Sequence, residues 1–256
     1  MTVAAACWPP QSLQGWTESV KLNSASGFHP DGNTSTFANT HLRGLRALYA
    51  GDGDLDHAAQ AAVEAVEVIG GIDFGAYVPG GGVSYPNTGL ANNLKLIATL
   101  VRQNIGLNVA TVDVGGWDTH NSQGVFPGGG FYNLVQQLSE ALTAFHRDMA
   151  GSGFGNRVAV VVQTEFGRQV TENSSAGTDH GLAYPMFVLG GKVKGGWYGE
   201  FPGLDTTPGD AVRPTVDFRQ VLATSIDKLV GNADPQGVFH STASPFSYSP
   251  MGFWNP

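Results

Sequence analysis

Charge is what this sequence has least of. Asp, Glu, Lys and Arg make up 13% of its 256 residues, about half of the roughly 25% usual in a globular domain. The 13 basic and 21 acidic residues leave a net charge of −8. Lys and Arg are scattered, so no basic stripe exists to lie along a phosphate backbone, and nucleic acid is excluded as a partner. The single cysteine, Cys7, excludes an intrachain disulfide and any zinc cage built from thiolates. No run of about 18 apolar residues occurs, which excludes a membrane span. The opening stretch, "MTVAAACWPPQSLQGW", has neither a basic n-region nor a full apolar h-region, so no signal peptide is read in it. Three catalytic signatures are missing as well. There is no G-x-S-x-G elbow, no G-x-G-x-x-G opening a helix after a strand, and no G-x-x-x-x-G-K-[ST]. The usual serine hydrolase, dinucleotide-binding and P-loop readings therefore fail.

What is abundant is glycine, at 36 residues, with 14 prolines and 41% hydrophobic residues. That composition predicts a loop-rich globule with one sizeable core, a single domain over 1–256. Residues 1–40 read as irregular, with no strand signal and with Pro-Asp-Gly turn chemistry in "ASGFHPDGNTSTF". Residues 40–93 read as helix and loop. Apolar residues recur at helical spacing in "THLRGLRALYAG" and "DLDHAAQAAVEAVEVIG", with Asp54 as N-cap and Gly70-Gly71 as the stop.

Residues 94–230 change period in a regular way. "LANNLKLIATLVRQ" is helical, "NVATVDV" is a β-branched run, and "FYNLVQQLSEALTAFHRDM" is a long helix with Leu134, Leu138, Leu142 and Phe145 on its apolar stripe, beside Val135 and Ala141. "RVAVVVQT" has the continuous Val content of a strand buried on both faces, and "PMFVLGG" is a third strand. Strand, helix, strand predicts parallel βαβ connections, and hence an α/β fold with a mostly parallel sheet sandwiched by helices. Residues 231–256 read as an aromatic tail packed over the core.

In such sheets ligands gather at the carboxyl ends of the strands. Three loops meet that condition: Gly115–His120 ("GGWDTH"), Glu165–Arg168, and Gly177–Gly181 ("GTDHG"). Asp118 and His120, two apart, point the same way if the backbone is extended. Carboxylate and imidazole together suit zinc and similar metals, and Asp179 with His180 can complete the shell. The flanking glycines allow tight or positive-φ turns. The alternative is an Asx turn at Asp118, with His120 bonded to nearby backbone. Glu165 reads as a ligand, a general base, or one half of a local ion pair with Arg168. Arg168 in turn offers a bidentate fork to an anion.

Five motifs in order, "GGWDTH", "LVQQLSEALTAFHRDM", "VVVQTEFGRQVTENSSAGTDHG", "FVLGGKVKGGWYGEFPGL" and "TVDFRQVLATSI", resemble the bacterial domain-of-unknown-function family 1501. That resemblance implies an alkaline phosphatase and sulfatase-like fold, and export to the periplasm as is common in the family. It also implies a first metal held by Asp118, His120 and His180, with Asp179 beside it. At the second-metal position Glu165 stands for an Asp, and Phe166 replaces an imidazole. The family's N-terminal "GGNDG"-like turn has no counterpart before Thr40, which reads as loss of the first strand and its nucleophile.

Three functions follow as expectations. The first is metal-assisted hydrolysis of a small-molecule phosphate, sulfate or carboxylic ester, with a divalent cation (zinc first, manganese or calcium as alternatives), Glu165 or Asp179 as base, and Arg168 as anion clamp. The second is a non-catalytic binding or scaffold protein. The third is a metal-independent Ser/Thr esterase using His180 and Asp179. A sheet edge left open by an absent strand is best covered in a homodimer.

Overall fold

The computed structural model describes residues 2–4, 19–21, 35–204, 210–230 and 233–255. The chain separates into two compact units: Met1–Val114 with Glu140–Asp148, and Gly115–Ser139 with Met149–Pro256.

In the first unit three short strands form a parallel sheet, β1 (Thr2–Ala4), β2 (Ser19–Lys21) and β3 (Val109–Thr111), in the order β2-β1-β3. Thr2 lies opposite both Ser19 and Val109, and Ala4 opposite Lys21 and Thr111. The expectation that no strand precedes Thr40 is thereby corrected. Three-residue strands in parallel register need no alternating apolar pattern, and their backbone pairing is non-local, so no local signal marks β1 and β2, whereas β3 falls in the β-branched run "NVATVDV". The loop reading of "ASGFHPDGNTSTF" lies outside the described residues up to residue 34, and is corrected from Ser35 on, where helix begins.

Helix α1 (Ser35–Leu48), α2 (Asp54–Gly70) and α3 (Gly89–Gln103) follow the predicted helical period. The N-cap of α2 is Gly53 rather than Asp54, because the Asp56 carboxylate reaches back to the Gly53 N–H at 3.1 Å. Helix α3 starts on Thr88, whose side chain accepts from the Ala91 N–H, and ends on Asn104 at φ 52, a left-handed position that Asn tolerates. Leu94, Ile97, Ala98 and Leu100 of α3 are buried, as are Val63 and Ile69 of α2.

Helix α4 (Gly130–Gly151) contributes Ala141, Leu142, Ala144 and Phe145 to the first unit's core. Its expected stripe is buried only in that segment, since Leu134 and Leu138 are half-buried and Val135 is exposed. The same segment carries Asp148, whose side chain is fully buried. Its carboxylate accepts from the Tyr77 hydroxyl at 2.6 Å, the Tyr85 hydroxyl at 2.8 Å and the Gly80 N–H at 2.6 Å. Burial, reinforced by Asp148, pushes both tyrosine pKa values up, so both remain O–H donors.

The second unit holds β4 (Ala159–Val162), β5 (Gly167–Arg168), β6 (His180–Gly181), β7 (Phe187–Gly190), α5 (Phe218–Leu229) and α6 (Pro235–Phe239). Both predicted strand runs form, but β4 pairs antiparallel with β7, with Val161 opposite Val188, while β3 pairs with β1. Each of the two strands flanking α4 thus takes a partner other than the one a parallel βαβ unit predicts. The architecture is α/β, of helices and small sheets. Strand β4 is half-buried throughout, not covered on both faces, consistent with a single strand neighbour among the described residues.

Gly167 pairs with Gly181 and Arg168 with His180 across β5 and β6, and this ladder brings two of the predicted loops together. The aromatic tail buries Phe246 and Phe253. Its backbone is held by Gln220, Thr224 and Gln236, which bond Ser249, Met251 and Tyr248 respectively.

Asp217 caps α5, accepting from the Arg219 N–H at 2.9 Å, and its carboxylate also binds the Arg219 guanidinium at 2.6–3.0 Å. Arg219 continues to the Ser244 carbonyl at 3.0 Å, so the cap and the tail are joined. The Arg219 side-chain bond, strengthened by its backbone N–H, holds the Asp217 carboxyl below its usual pKa. Asp217→Ala is expected to lose about 1–2 kcal/mol in urea unfolding at pH 7. Because the folded pKa is depressed, that contribution is present above about pH 4 and is lost as pH falls through the folded value. The difference between variant and parent should therefore shrink in acid, and a difference that persists unchanged to pH 2 contradicts the assignment.

Candidate metal centre

The stretch Gly115–His120 leaves the sheet region as an irregular loop. Gly116 takes φ 93, a left-handed conformation that favours glycine, while the Leu134 side chain 3.4 Å from where a Cβ would stand is in ordinary contact range. The chain tightens again where the Thr119 N–H reaches the Trp117 carbonyl at 2.9 Å. This two-residue closure, not extended backbone, puts Asp118 and His120 on one side: His120 Nε2 stands 3.1 Å from Asp118 Oδ1. The Asx-turn alternative is not what forms, since the partners of the Asp118 carboxylate are His120, His180 and Arg168.

The second loop comes up against the first. Ser122 and Gln123 N–H groups bond the Ser175 and Ala176 carbonyls at 2.9 and 2.8 Å, and the Thr178 N–H bonds the Thr119 carbonyl at 3.3 Å. Gly177 is buried in this seam, where a Cβ would lie 2.2 Å from the His120 carbonyl oxygen. At Gly181 a Cβ would lie 2.4 Å from the Arg168 carbonyl oxygen. Neither glycine is among the positive-φ residues, so the expectation of special dihedrals gives way to one of close backbone approach. Gly177→Ala is expected to force the loops apart, costing about 1–3 kcal/mol. Gly115→Ala, with nothing within 4 Å, should stay within about 0.5 kcal/mol of the parent. Thermal unfolding of both variants checks this pair.

The seam delivers His180 Nε2 to 2.8 Å from Asp118 Oδ1. Ligand atoms of Asp118, His120 and His180 all lie within 4.8 Å of one another. Four ligands at zinc distances of about 2.0–2.1 Å stand roughly 3.3 Å apart, so the group is close to the required size. Two imidazole nitrogens and one carboxylate oxygen form the borderline donor set that zinc takes. The Asp118, His120 and His180 side chains keep 60%, 38% and 46% of their exposure. That openness leaves room for a further ligand, as catalytic rather than structural zinc sites do.

Behind the triad, His120 Nδ1 sits 2.8 Å from Asp179 Oδ1. An ionised carboxylate only accepts, so Nδ1 carries the proton and, in the neutral ring, Nε2 presents a lone pair. Carboxylate, histidine and then metal is the arrangement by which outer carboxylates orient metal-binding imidazoles. Asn173 and then His120, through their hydrogen bonds, hold the Asp179 carboxyl below its usual range. Asp118 is held down chiefly by its bond to His180, with help from the charges of His120, His180 and, least, Arg168.

The remaining predicted residues are placed differently. Arg168 donates to the carbonyls of Thr178 and Trp117 and lies 3.6 Å from Asp118 Oδ1. Its guanidinium braces both loops with two of its five donors, and it makes no pair with Glu165 among the described residues. Glu165 is exposed and contributes nothing to the triad. Phe166 stacks on the His180 ring at 4.0 Å and 11°, with the Arg168 guanidinium 4.8 Å from its centroid. Asp179 pairs with His120 and not with His180. The neighbouring hydroxyls of Thr119 and Thr178 both donate to Gln123 Oε1, at 2.9 and 2.8 Å, so neither is presented to an imidazole as a nucleophile.

Asn173 and Gln123 are the residues that sequence reasoning missed. Asn173 carried one usable signal, an Asx turn in "ENSSAG". Gln123 carried none.

A family model described as "Protein of unknown function (DUF1501)" matches residues 84–248, a span that contains the triad, its outer carboxylate and both loops. The chain belongs to that family. No curated protein and no solved structure matches it. Among the described residues of this DUF1501 member, no helix is long and apolar enough to cross a membrane.

Proposed function

We propose that Asp118, His120 and His180 hold one divalent cation, zinc first with manganese or calcium as alternatives, and that the protein is a metal-assisted hydrolase of ester bonds. One observation carries the reading. Two imidazole Nε2 atoms converge on a single carboxylate oxygen while the far side of His120 is tied to a second carboxylate. His180 Nε2 meets that oxygen as a hydrogen-bond donor, but His120, with its proton on Nδ1, aims an Nε2 lone pair at it, and the two repel unless a proton or a cation lies between them.

A divalent cation at this site supplies Lewis acidity to an ester oxygen and to attacking water. The protein's own residues do the rest. Asp179 orients His120, and Arg168 braces the two loops and favours the ionised form of Asp118. Phe166 holds the His180 ring by stacking. Glu165, exposed near the strand end, is the carboxylate left to accept a proton, since Asp179 is engaged with His120 and Asn173. The substrate is a small-molecule ester of phosphate, sulfate or a carboxylic acid.

Model esters of the three classes, assayed with and without Zn²⁺, Mn²⁺ or Ca²⁺, test the proposal. Turnover of at least one class should disappear on chelation and return with the metal. A metal-loaded protein that turns over none of them overturns the catalytic reading. The second reading is then a non-catalytic binding protein, which is favoured by Phe166 replacing the imidazole that the phosphatase-like resemblance implies for a second metal.

A further inference from the structure

We infer that Asn173 is a positioning residue for this cation site, acting on His120 through Asp179; the inference rests on the metal reading above. A primary amide has two N–H donors and one oxygen with two lone pairs, and Asn173 engages both ends. Its Nδ2 donates to Asp179 Oδ1 at 2.9 Å and to the His120 carbonyl at 3.0 Å. Its Oδ1 accepts from the Ser175 N–H at 2.9 Å and the Gly177 N–H at 3.1 Å.

Asn173 therefore grips His120 at two points. The main chain is held directly, and the ring is held through the same Asp179 oxygen that receives Nδ1. A carboxylate can accept along several directions, so His120 alone does not settle where Asp179 sits. The amide donor adds the second bond that fixes Oδ1, and with it the direction in which Nε2 points. The acceptor end does a separate job. It closes the 173–177 turn that carries Gly177 into the seam beneath His120.

These two jobs make different predictions. If Asn173 only closes the turn, its loss affects the loop whether or not Asp179 is present. If it acts through Asp179, its effect on metal affinity depends on that carboxylate.

The test is a double-mutant cycle on the full chain, comparing Asn173→Ala, Asp179→Ala and the double variant. Zn²⁺ and Co²⁺ affinities are read by competition with a chromophoric chelator, and the visible absorption of bound Co²⁺ reports ligand geometry. Asn173→Ala is expected to weaken binding roughly 10–100-fold in the parent, as loss of an outer-shell partner does. In the Asp179→Ala background the same change should cost less than about threefold.

Asn173→Ser covers the case in which the alanine variant fails to fold. Its hydroxyl keeps an acceptor for the turn but is too short to reach Asp179, so it should show the same loss of affinity. Parent-like affinity in either variant overturns the inference. So does a loss of equal size in both backgrounds, which assigns Asn173 to loop closure alone. A parent protein that binds neither ion overturns the metal reading and this inference with it.

Discussion

Asp118→Ala is expected to abolish tight binding of a divalent cation, a larger loss than the roughly 10–100-fold associated with outer-shell partners. Asp118 Oδ1 is the one atom that both imidazoles approach, at 2.8 Å from His180 and 3.1 Å from His120. Removing it leaves two neutral nitrogen donors and no negative charge to offset desolvation of the ion. The fold should survive, because Asp118 is exposed and the loops keep their backbone seam and the Arg168 brace. Metal analysis of the purified protein, paired with thermal unfolding, separates the two effects. Full metal content in Asp118→Ala rules out the triad as the binding site. Loss of metal together with any ester turnover, at the thermal stability of the chelated parent, is the expected outcome. His180→Ala should behave alike, whereas Glu165→Gln should leave metal content intact and affect turnover alone.

The largest expected effect on stability lies in the first unit. Asp148→Ala removes the acceptor for two tyrosine hydroxyls and one backbone N–H around a fully buried carboxylate. Each buried donor left without a partner costs about 1–3 kcal/mol, so a total near 3–5 kcal/mol is expected once water reaches part of the cavity. Tyr77→Phe and Tyr85→Phe remove only a donor from an acceptor that keeps its other bonds, and each should cost about 0.5–1.5 kcal/mol. These values should not add, since the three side chains share one carboxylate. Denaturant unfolding of the set checks the ordering. An Asp148→Ala variant within about 0.5 kcal/mol of the parent contradicts the role assigned here.

Much of the site was legible in local chemistry. In a chain so poor in charge, "GGWDTH" and "GTDHG" stand out as the places where carboxylates and imidazoles concentrate beside glycines. The structure brings Asp118, His120 and His180 from these two stretches within ligand distance. The helices were legible for the same kind of reason. A 3.6-residue apolar period is a local signal, and α2, α3 and α4 follow it.

What only the tertiary structure decided is pairing. Strand neighbours are chosen over long sequence separations, so the antiparallel β4–β7 ladder and the parallel β1–β3 ladder left no trace in the local pattern. The same holds for roles within the site. From sequence, Asp179 is equally a ligand, a base or the partner of His180; the 2.8 Å contact to His120 Nδ1 makes it the carboxylate that orients that ring. Arg168 reads as a fork for an anion, and only the folded chain shows that two of its five donors go to the Thr178 and Trp117 carbonyls. The residue types determined which chemistry was available, because ligand preference belongs to the side chain. Which atom faces which was settled by two loops meeting over Gly177, where the absence of a Cβ lets their backbones touch.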